Sequence, residues 1–318
     1  MRPTTLRQLR YFVEIARSRS FSRAAEHLSV AQPALSQNIS ALEDEMGAKL
    51  FERHAKGVDL SPAGHRLYER AIQLIGGFDD LKSHVAGTPV RPSGPVRLGI
   101  AGSVASVVIA PLLRQMSTQY PEIELSVTDG MSYEVKVLVE SGRADLALMP
   151  SASELAGIAS LPVFEERFML FGTYDSMLVE PPQLTFADVA RRCLAAPDRA
   201  HDLRKIIERA ADSMGLELDV RYELNSPAML IALAKEGLAY ALVPESACIE
   251  AVAAKAVAGR PVVSPELSRV QALVWPQDRL ITPAAKAVRD TIVQVVGELV
   301  RNGSLRGRVV DTARLSPA

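Results

Sequence analysis

Two short stretches near the amino terminus repeat apolar residues at helical spacing, with only Ser29 and Val30 between them. In the second stretch the apolar residues recur at steps of four, three and four and so share one face: Leu35, Ile39, Leu42 and Met46. The other face carries small or polar side chains and no carboxylate: Gln32, Pro33, Ser36, Gln37 and Ser40. Such a face suits the major groove of DNA, where base edges offer donors and acceptors. The pattern predicts a helix-turn-helix whose second helix enters the groove, although any two-helix hairpin would share its periodicity.

The neighbouring segments fit the same small domain, which we place at residues 1–61. A helix packed under the pair is predicted by apolar residues at helical spacing: Leu6, Leu9, Phe12, Val13 and Ala16. Two short extended pieces then flank a basic segment that ends in Gly57, which predicts a small hairpin, the wing. Arg53 and Lys56 of this wing would lie beside DNA phosphates. The alternative for Arg53 is an ion pair with a neighbouring carboxylate alone.

A long helix is predicted at residues 62–86, because Ser61 is a good N-cap and Pro62 a good first helical residue. Its apolar residues repeat in sevens: Leu67, Ala71, Leu74, Phe78, Leu81 and Val85. So narrow a seam is typical of a two-stranded coiled coil, and packing on the helix's own domain is the alternative. The residues expected to join two copies are Leu67, Leu74, Phe78 and Leu81. Residues 87–95 are rich in Pro and Gly and predict a hinge.

Beyond the hinge, apolar strands alternate with helical patterns, which predicts parallel sheets flanked by helices. The succession of helix, glycine, short gap, apolar strand and proline occurs at Gly142–Pro150 and again at Gly237–Pro244. This repetition indicates two related α/β lobes. Residues 302–318 are basic with little apolar surface, so a flexible tail is expected there.

Ligands of open α/β lobes bind at the carboxyl ends of strands, against the amino ends of the following helices. Ser103 follows the first strand of this half, residues 129–132 follow the second, and Asn225 and Ser226 precede a helix of the other lobe. Exposed amides with serine hydroxyls bind small anions well, so these positions predict an anion site. For Ser103, Asn225 and Ser226 the alternative is plain helix capping.

Enzyme signatures are scarce in this half. Gly99 and Gly102 lack the third glycine and the spacing of a dinucleotide site. Four of the five histidines precede the hinge, which leaves His201 alone for any histidine-based mechanism. Cys193 and Cys248 do not have the spacing of metal ligands. We therefore expect no catalytic residue, metal or cofactor, which leaves a ligand sensor or an oligomerisation scaffold.

The net charge of -1 conceals an uneven distribution. Residues 1–66 hold ten Lys and Arg against seven Asp and Glu, a net charge of +3, which leaves -4 for the rest of the chain. A dimer doubles the positive field, and phosphate contacts would make its binding salt-dependent. Because no apolar signal region or run of membrane length occurs, a cytoplasmic protein without membrane contact is expected.

The helix-turn-helix also resembles the DNA-binding signature of the LysR-type transcriptional regulators. The residues that carry the resemblance are Ala24, Ala25, Leu28, Gln32, Pro33, Ala34, Leu35, Ser36, Ile39, Leu42 and Glu43. The resemblance implies that four positions approach DNA, namely Gln32, Pro33, Ser36 and Gln37, and family members usually also carry an Arg at the position of Arg53. Ala31 stands where the family often has Ser or Thr, and Gln37 where many members carry Arg. Because Gln prefers adenine, a half-site rich in A·T pairs is expected.

For the rest of the chain the resemblance implies a two-lobed effector-binding domain at 96–301, similar to periplasmic binding proteins. It implies lobe one at 96–161 and 269–301, lobe two at 162–268, and effector contacts at Ser103 and Ser132. The expected protein is a homodimer or homotetramer that binds an inverted-repeat DNA site and senses a small anion; an activator would also contact RNA polymerase. Within the family, the second helix of the helix-turn-helix and the stretch from Leu242 to Ala247 resemble those of the nitrogen assimilation control branch. The alternative is a DNA-binding regulator without an effector, whose α/β domain is only a scaffold.

Overall fold

The computed structural model describes residues 4–54, 57–86, 91–150, 157–279 and 281–310. These residues form two compact units. The first unit contains the chain up to Arg91 together with 281–283, and the second contains the rest. Each unit has its own hydrophobic core.

The described residues of the first unit form α1 (Leu6–Ser18), α2 (Phe21–His27), α3 (Gln32–Met46), β1 (Phe51–His54), β2 (Gly57–Leu60) and α4 (Pro62–Ala86). Local capping signals set several of these bounds. Thr5 and Gln8 form a capping box at the start of α1, and Ser20 caps α2. Gly47 ends α3 in the left-handed conformation, with φ of 64°. The apolar faces meet in one core, whose fully buried members include Phe12, Ile15, Leu35 and Leu42.

The two halves of α4 differ in burial. Ala71 is fully buried and Leu67 is partly buried, and both belong to the core of the first unit. The later seam residues are exposed by 60% at Leu74, 38% at Phe78 and 59% at Leu81. Leu67 also packs in the core of the first unit because the apolar face of α1 lies against the first half of α4, and its role in joining two copies stays a prediction. The exposed seam begins at Leu74.

The second unit alternates strands and helices as the sequence predicts. Its strands are β3 (Gly94–Ala101), β4 (Ile123–Gly130), β5 (Leu146–Pro150), β6 (Ile158–Thr173), β7 (Leu184–Thr185), β8 (Leu194–Ala196), β9 (Val220–Glu223), β10 (Tyr240–Pro244), β11 (Val257–Val263), β12 (Ser268–Pro276) and β13 (Arg308–Val309). Its helices are α5 (Gly102–Gln119), α6 (Ser132–Glu140), α7 (Tyr174–Leu178), α8 (Phe186–Ala190), α9 (Asp202–Ser213), α10 (Pro227–Lys235), a 3₁₀ helix (Glu245–Cys248), α11 (Ile249–Ala253) and α12 (Pro283–Arg301).

The main strands lie in the order β4, β3, β5, β12, β6, β10, β8 and β9. The β3 strand is parallel to β4 and β5, and β8 is parallel to β9 and β10. In contrast, β12 is antiparallel to β5 and β6, and β6 is antiparallel to β10. The predicted parallel sheets are therefore mixed, because the chain crosses between the lobes along β6 and returns along β12.

The β6 strand passes from one lobe to the other. Residues 158–167 pair with β12, whereas residues 168–173 pair with β10 and β11. The lobe boundary that the sequence places between 161 and 162 falls inside the part that pairs with β12. Each lobe has its own apolar cluster, around Val135 in lobe one and around Phe186 in lobe two.

The segment after Asn302, which was predicted to be a flexible tail, contacts the second unit at Leu305 and along β13. Leu305 is only 1% exposed, and β13 pairs with β6. Arg308 forms an ion pair with Glu165. The buried side chain of Leu305 and the ion pair of Arg308 hold this segment against the second unit. Residues 311–318 lie outside the described part of the chain.

Candidate functional site

The side chains that were expected to approach DNA lie along α3. They are exposed at Gln32, Pro33 and Gln37 and half-buried at Ser36. Gln32 also accepts a hydrogen bond from Ser22 Oγ of α2, at 3.2 Å. The N-cap is Ala31, so no side chain caps the first amides of α3. The helix thus presents amide side chains on its exposed face and uncapped backbone amides, which bind phosphate well, at its amino end.

The β1–β2 hairpin forms the predicted wing. Its register places Arg53 opposite Val58 and ends with His54 opposite Gly57. At Gly57 φ is +137°, and a Cβ would lie 2.7 Å from the backbone oxygen of Arg19 at the end of α1. Only glycine fits where the wing meets α1. The other expected phosphate contact, Lys56, lies outside the described residues.

A cavity of about 300 Å³ lies in the cleft between the two lobes of the second unit. The amino ends of α5, α6, α9 and α10 border this cavity. Helix amino ends carry partial positive charge and amides without intrahelical partners. The strands β3, β4 and β10 end at the same place. The cleft therefore favours a ligand group with negative charge, at the position expected for open α/β lobes.

All the residues that were expected to contact a ligand line this cavity: Ser103, Ser132, Asn225 and Ser226. Ser226 is the N-cap of α10, yet its side chain makes no capping hydrogen bond. Asn225 is engaged by Asp198: its Oδ1 accepts from the Asp198 amide at 2.9 Å, and its Nδ2 donates to the carboxylate at 2.7 Å. The second bond lowers the pKa of Asp198. Asn225 thus holds the loop at Asp198 in place.

A buried ion pair lies at the floor of the cleft. Arg269 of β12 lines the cavity and is 7% exposed, and it donates from Nη2 to Ser103 Oγ at 2.8 Å and from Nε to Glu166 at 2.6 Å. Glu166 of β6 is fully buried and also accepts from Ser246 Oγ at 2.6 Å and Gln271 Nε2 at 2.7 Å. These hydrogen bonds connect the 3₁₀ helix of lobe two, through the crossing strands, to α5 of lobe one. A ligand that contacts Ser103 or Arg269 would therefore act on a network shared by both lobes.

His201 occupies the N-cap of α9 at the cavity wall. Its Nδ1 accepts a hydrogen bond from the Leu203 amide at 3.1 Å, which places the proton of the neutral ring on Nε2. Burial lowers the pKa of His201, and the charge of Arg269 lowers it further. At neutral pH the ring is therefore uncharged and can donate from Nε2.

The cysteines take no part in this site. Cys248 is buried, and burial raises the pKa of its thiol. Cys193 is half-buried, with Sγ 3.9 Å from the Leu238 oxygen. The environment of Cys248 therefore disfavours the thiolate. Within the described part of the chain, no group of His, Cys, Asp and Glu side chains is arranged to hold a metal ion.

Two family models match this chain. Residues 6–65 match the model described as the bacterial regulatory helix-turn-helix protein of the lysR family, and residues 90–297 match the LysR substrate binding domain. The chain belongs to the LysR family. As a LysR-family member it is a DNA-binding transcriptional regulator with an effector-binding domain. Members of this family are regulators and not enzymes. None of the helices described in this LysR-family chain is both long and apolar enough to span a membrane.

Relatives of this LysR-family chain match it over nearly its whole length. The nitrogen assimilation regulatory protein Nac of Escherichia coli K12 is 29% identical over 296 residues, which covers 92% of this chain and 96% of Nac. The structure of the OxyR C206 mutant from Corynebacterium glutamicum has a TM-score of 0.71 at 25% identity and covers 97% of this chain and 98% of that one. Full-length CbnR in complex with its target DNA shares the fold, with a TM-score of 0.52 at 22% identity and coverage of 92% and 99%.

Sequence reasoning missed Arg269, Glu166 and His201 as residues of the cleft. For the first two the signal was a charged residue inside an apolar strand, since such residues are buried only when they are paired. The charged residues of these two strands are Glu165, Glu166 and Arg167 in β6 and Arg269 in β12, so the sequence alone does not show that Glu166 is the buried partner. For His201 the signal was its position directly before a helical pattern that begins with Asp202.

Proposed function

We propose that this LysR-family regulator senses a small molecule with an anionic group, which binds between the lobes of the second unit. The observation that supports the proposal is the cavity, where helix amino ends, the Ser103 hydroxyl and the Arg269 guanidinium surround one space of about 300 Å³. Pockets for small molecules occupy about 300–1,000 Å³, so the ligand is small. The proposed contacts are Ser103, Ser132 and Ser226, with Asn225 supporting the wall through Asp198.

On DNA, we propose that the exposed face of α3 contacts base edges of an inverted-repeat site. The proposed contacts are Gln32, Pro33, Ser36 and Gln37 to bases, and Arg53 and Lys56 to phosphates. A homodimer or homotetramer joined through Leu74, Phe78 and Leu81 would present two such helices to one site, as paired half-sites require. The complex of CbnR with its target DNA supports this use of the fold.

The likeness to Nac supports nitrogen-source genes as targets of this regulator. We place its action in the cytoplasm because its DNA is there, and an activator would also contact RNA polymerase. Genome-wide crosslinking to DNA tests these points together. An inverted repeat beside nitrogen-source genes is expected, and a bound motif without two-fold symmetry would contradict the proposal.

A thermal-shift screen of the full chain against metabolite carboxylates and phosphates tests the sensor. A ligand at a hundred times its Kd stabilises the folded state by about 2.7 kcal/mol, which is visible as a higher Tm. At least one metabolite should raise the Tm of the natural chain and have no effect on Ser103→Phe, whose ring would fill the cleft. If no metabolite raises the Tm, or if Ser103→Phe responds equally, the α/β domain is an oligomerisation scaffold.

A further inference from the structure

The charges around the cavity do not suit a ligand that is only an anion. Arg269 is the only cationic side chain among the described residues that line it, and its charge is balanced by the buried carboxylate of Glu166. His201 is uncharged at neutral pH, since burial and Arg269 lower its pKa. Asp129 and Glu134 add two exposed carboxylates to the wall. The wall is therefore net negative, even though Ser103, Arg269 and the helix amino ends favour a carboxylate.

These opposite preferences lie side by side in lobe one. In the parallel pair of β3 and β4, Asp129 lies opposite Ile100. Helix α5 begins two residues after Ile100, so Asp129 is beside the amino end that carries Ser103. Glu134 accepts a hydrogen bond from the Met131 amide at 2.8 Å, so its carboxylate already occupies the amino end of α6. A ligand carboxylate is therefore directed to α5, next to a protein carboxylate.

The wall also contains the serine at position 132, whose residue is 4% exposed and faces the cavity. A hydroxyl at the cavity surface can donate to or accept from a bound molecule. Across the cavity, lobe two contributes apolar side chains, namely Leu203, Leu230 and Val243. The ligand thus meets polar groups on one side and an apolar surface on the other.

We propose that the ligand is an α-amino acid with an apolar side chain. Its carboxylate would accept hydrogen bonds from Ser103, Arg269 and the first amides of α5, and its ammonium group would pair with Asp129. An α-amino acid carries both charges on groups joined to one carbon, which matches the adjacent positions of Ser103 and Asp129. Its zero net charge suits the negative wall, and its side chain would pack on lobe two. This inference rests on the proposed function, because it names the ligand class of the same cavity.

The test uses matched sets of ligands on the full natural chain at neutral pH, by thermal shift and then calorimetry. The sets are L-valine, L-leucine, L-methionine and L-phenylalanine, each with its deaminated acid and its decarboxylated amine. For leucine these analogues are 4-methylpentanoate and 3-methylbutylamine. At least one amino acid should bind, and both of its analogues should bind about tenfold more weakly or worse, because each loses hydrogen bonds to a charged group.

Asp129→Asn separates the ammonium contact from the rest of the site. This variant should reduce the preference for the amino acid over its deaminated acid by about tenfold, since the neutral amide no longer pairs with ammonium. Asp212→Asn, at an exposed position near the end of α9, is the matched control and should leave the preference unchanged. The preference is the ratio of the affinities for the amino acid and for its deaminated acid, so it does not change when a variant weakens the binding of both ligands equally.

The outcomes distinguish this inference from the proposed function. Equal affinity for an amino acid and its deaminated acid would overturn the inference and keep the anion sensor. Failure of all four amino acids would also overturn it, and the wider metabolite screen would then decide whether the cleft senses anything. If Asp129→Asn kept the preference for the amino acid over its deaminated acid, Asp129 would not pair with the ligand ammonium and the inference would be overturned.

Discussion

The face that is proposed to contact bases lies on a single helix of 15 residues in the first unit. The cavity wall that is proposed to bind a ligand, in the second unit, joins residues that are far apart in the chain. Gln32 and Gln37 are separated by little more than one helical turn. Ser103 and Arg269 are separated by 166 positions and meet only because β6 and β12 cross between the lobes.

The difference affects how each unit responds to change. A contiguous site depends on local helix formation and on what its exposed face presents, so single substitutions there should act on DNA alone. An assembled site depends on buried polar groups that hold distant strands together, so a substitution there should alter stability as well as binding.

Leu74→Glu should have the largest effect, because it places charges at facing positions of the proposed helix pair. Burying such a charge without a partner costs about 3–5 kcal/mol, and a dimer would contain two. We expect a monomer in sedimentation equilibrium and loss of binding to a DNA site with two half-sites. Leu178→Glu, at a comparably exposed leucine in α7, is the control and should leave the mass unchanged. A Leu74→Glu protein of natural mass that still binds DNA would show that α4 is not the contact.

Glu166→Gln should destabilise the second unit by about 3–5 kcal/mol, because it leaves the buried guanidinium of Arg269 without its counter-charge. Trp275, the only tryptophan of the chain, lies in this unit and reports its unfolding by fluorescence in urea. The adjacent Glu165→Gln is the control. It removes an ion pair to an exposed arginine and leaves an amide oxygen that can still accept from Ser268 Oγ, so less than about 1 kcal/mol should be lost. An equal loss of unfolding free energy in both variants would mean that the network at the cleft floor stabilises the unit no more than the exposed ion pair does.

Gln37→Ala should weaken binding to the cognate DNA site by about 1–3 kcal/mol and relax the preference at one base pair in each half-site, because an amide–base contact is lost. Lys56→Ala should instead weaken cognate and random DNA alike, as expected for a phosphate contact. Anisotropy titrations on both kinds of DNA at one salt concentration check the pair. A uniform loss in Gln37→Ala would exclude that side chain from sequence recognition.

The smallest expected effect is the pH dependence from His201, whose pKa is lowered in the folded state. Above pH of about 6.5 the ring is neutral in both states, and its contribution to stability is fully present. As the pH falls below that value, the unfolded chain takes up the proton first, so stability is lost. His201→Asn retains a capping side chain without a titrating ring and should reduce this loss. Urea unfolding followed by Trp275 at pH 7.5 and 5.5 gives the comparison; an identical loss in both proteins would assign it to other groups.

More of the candidate site residues could be predicted from sequence in the first unit than in the second, because those of the first unit follow from local patterns. The face of α3 follows from helical periodicity alone. The wing turn is marked by Gly57, whose φ of +137° favours glycine. The serines of the cleft follow helix starts, which capping rules also reveal. In contrast, the pairing of Arg269 with Glu166 depends on which strands become neighbours. That neighbourhood also makes the sheet mixed, and no local pattern specifies it.

We expect α3 to bind DNA without help from the cleft and a ligand bound in the cleft to change that binding. The most direct test is an anisotropy titration of the natural chain and Ser103→Phe on a DNA fragment recovered by crosslinking, with and without a ligand found in the thermal screen. Without ligand, both proteins should bind the fragment with the same affinity, and ligand should change the affinity of the natural chain only. Loss of DNA binding by Ser103→Phe without ligand, or an equal ligand effect on both proteins, would contradict this expectation.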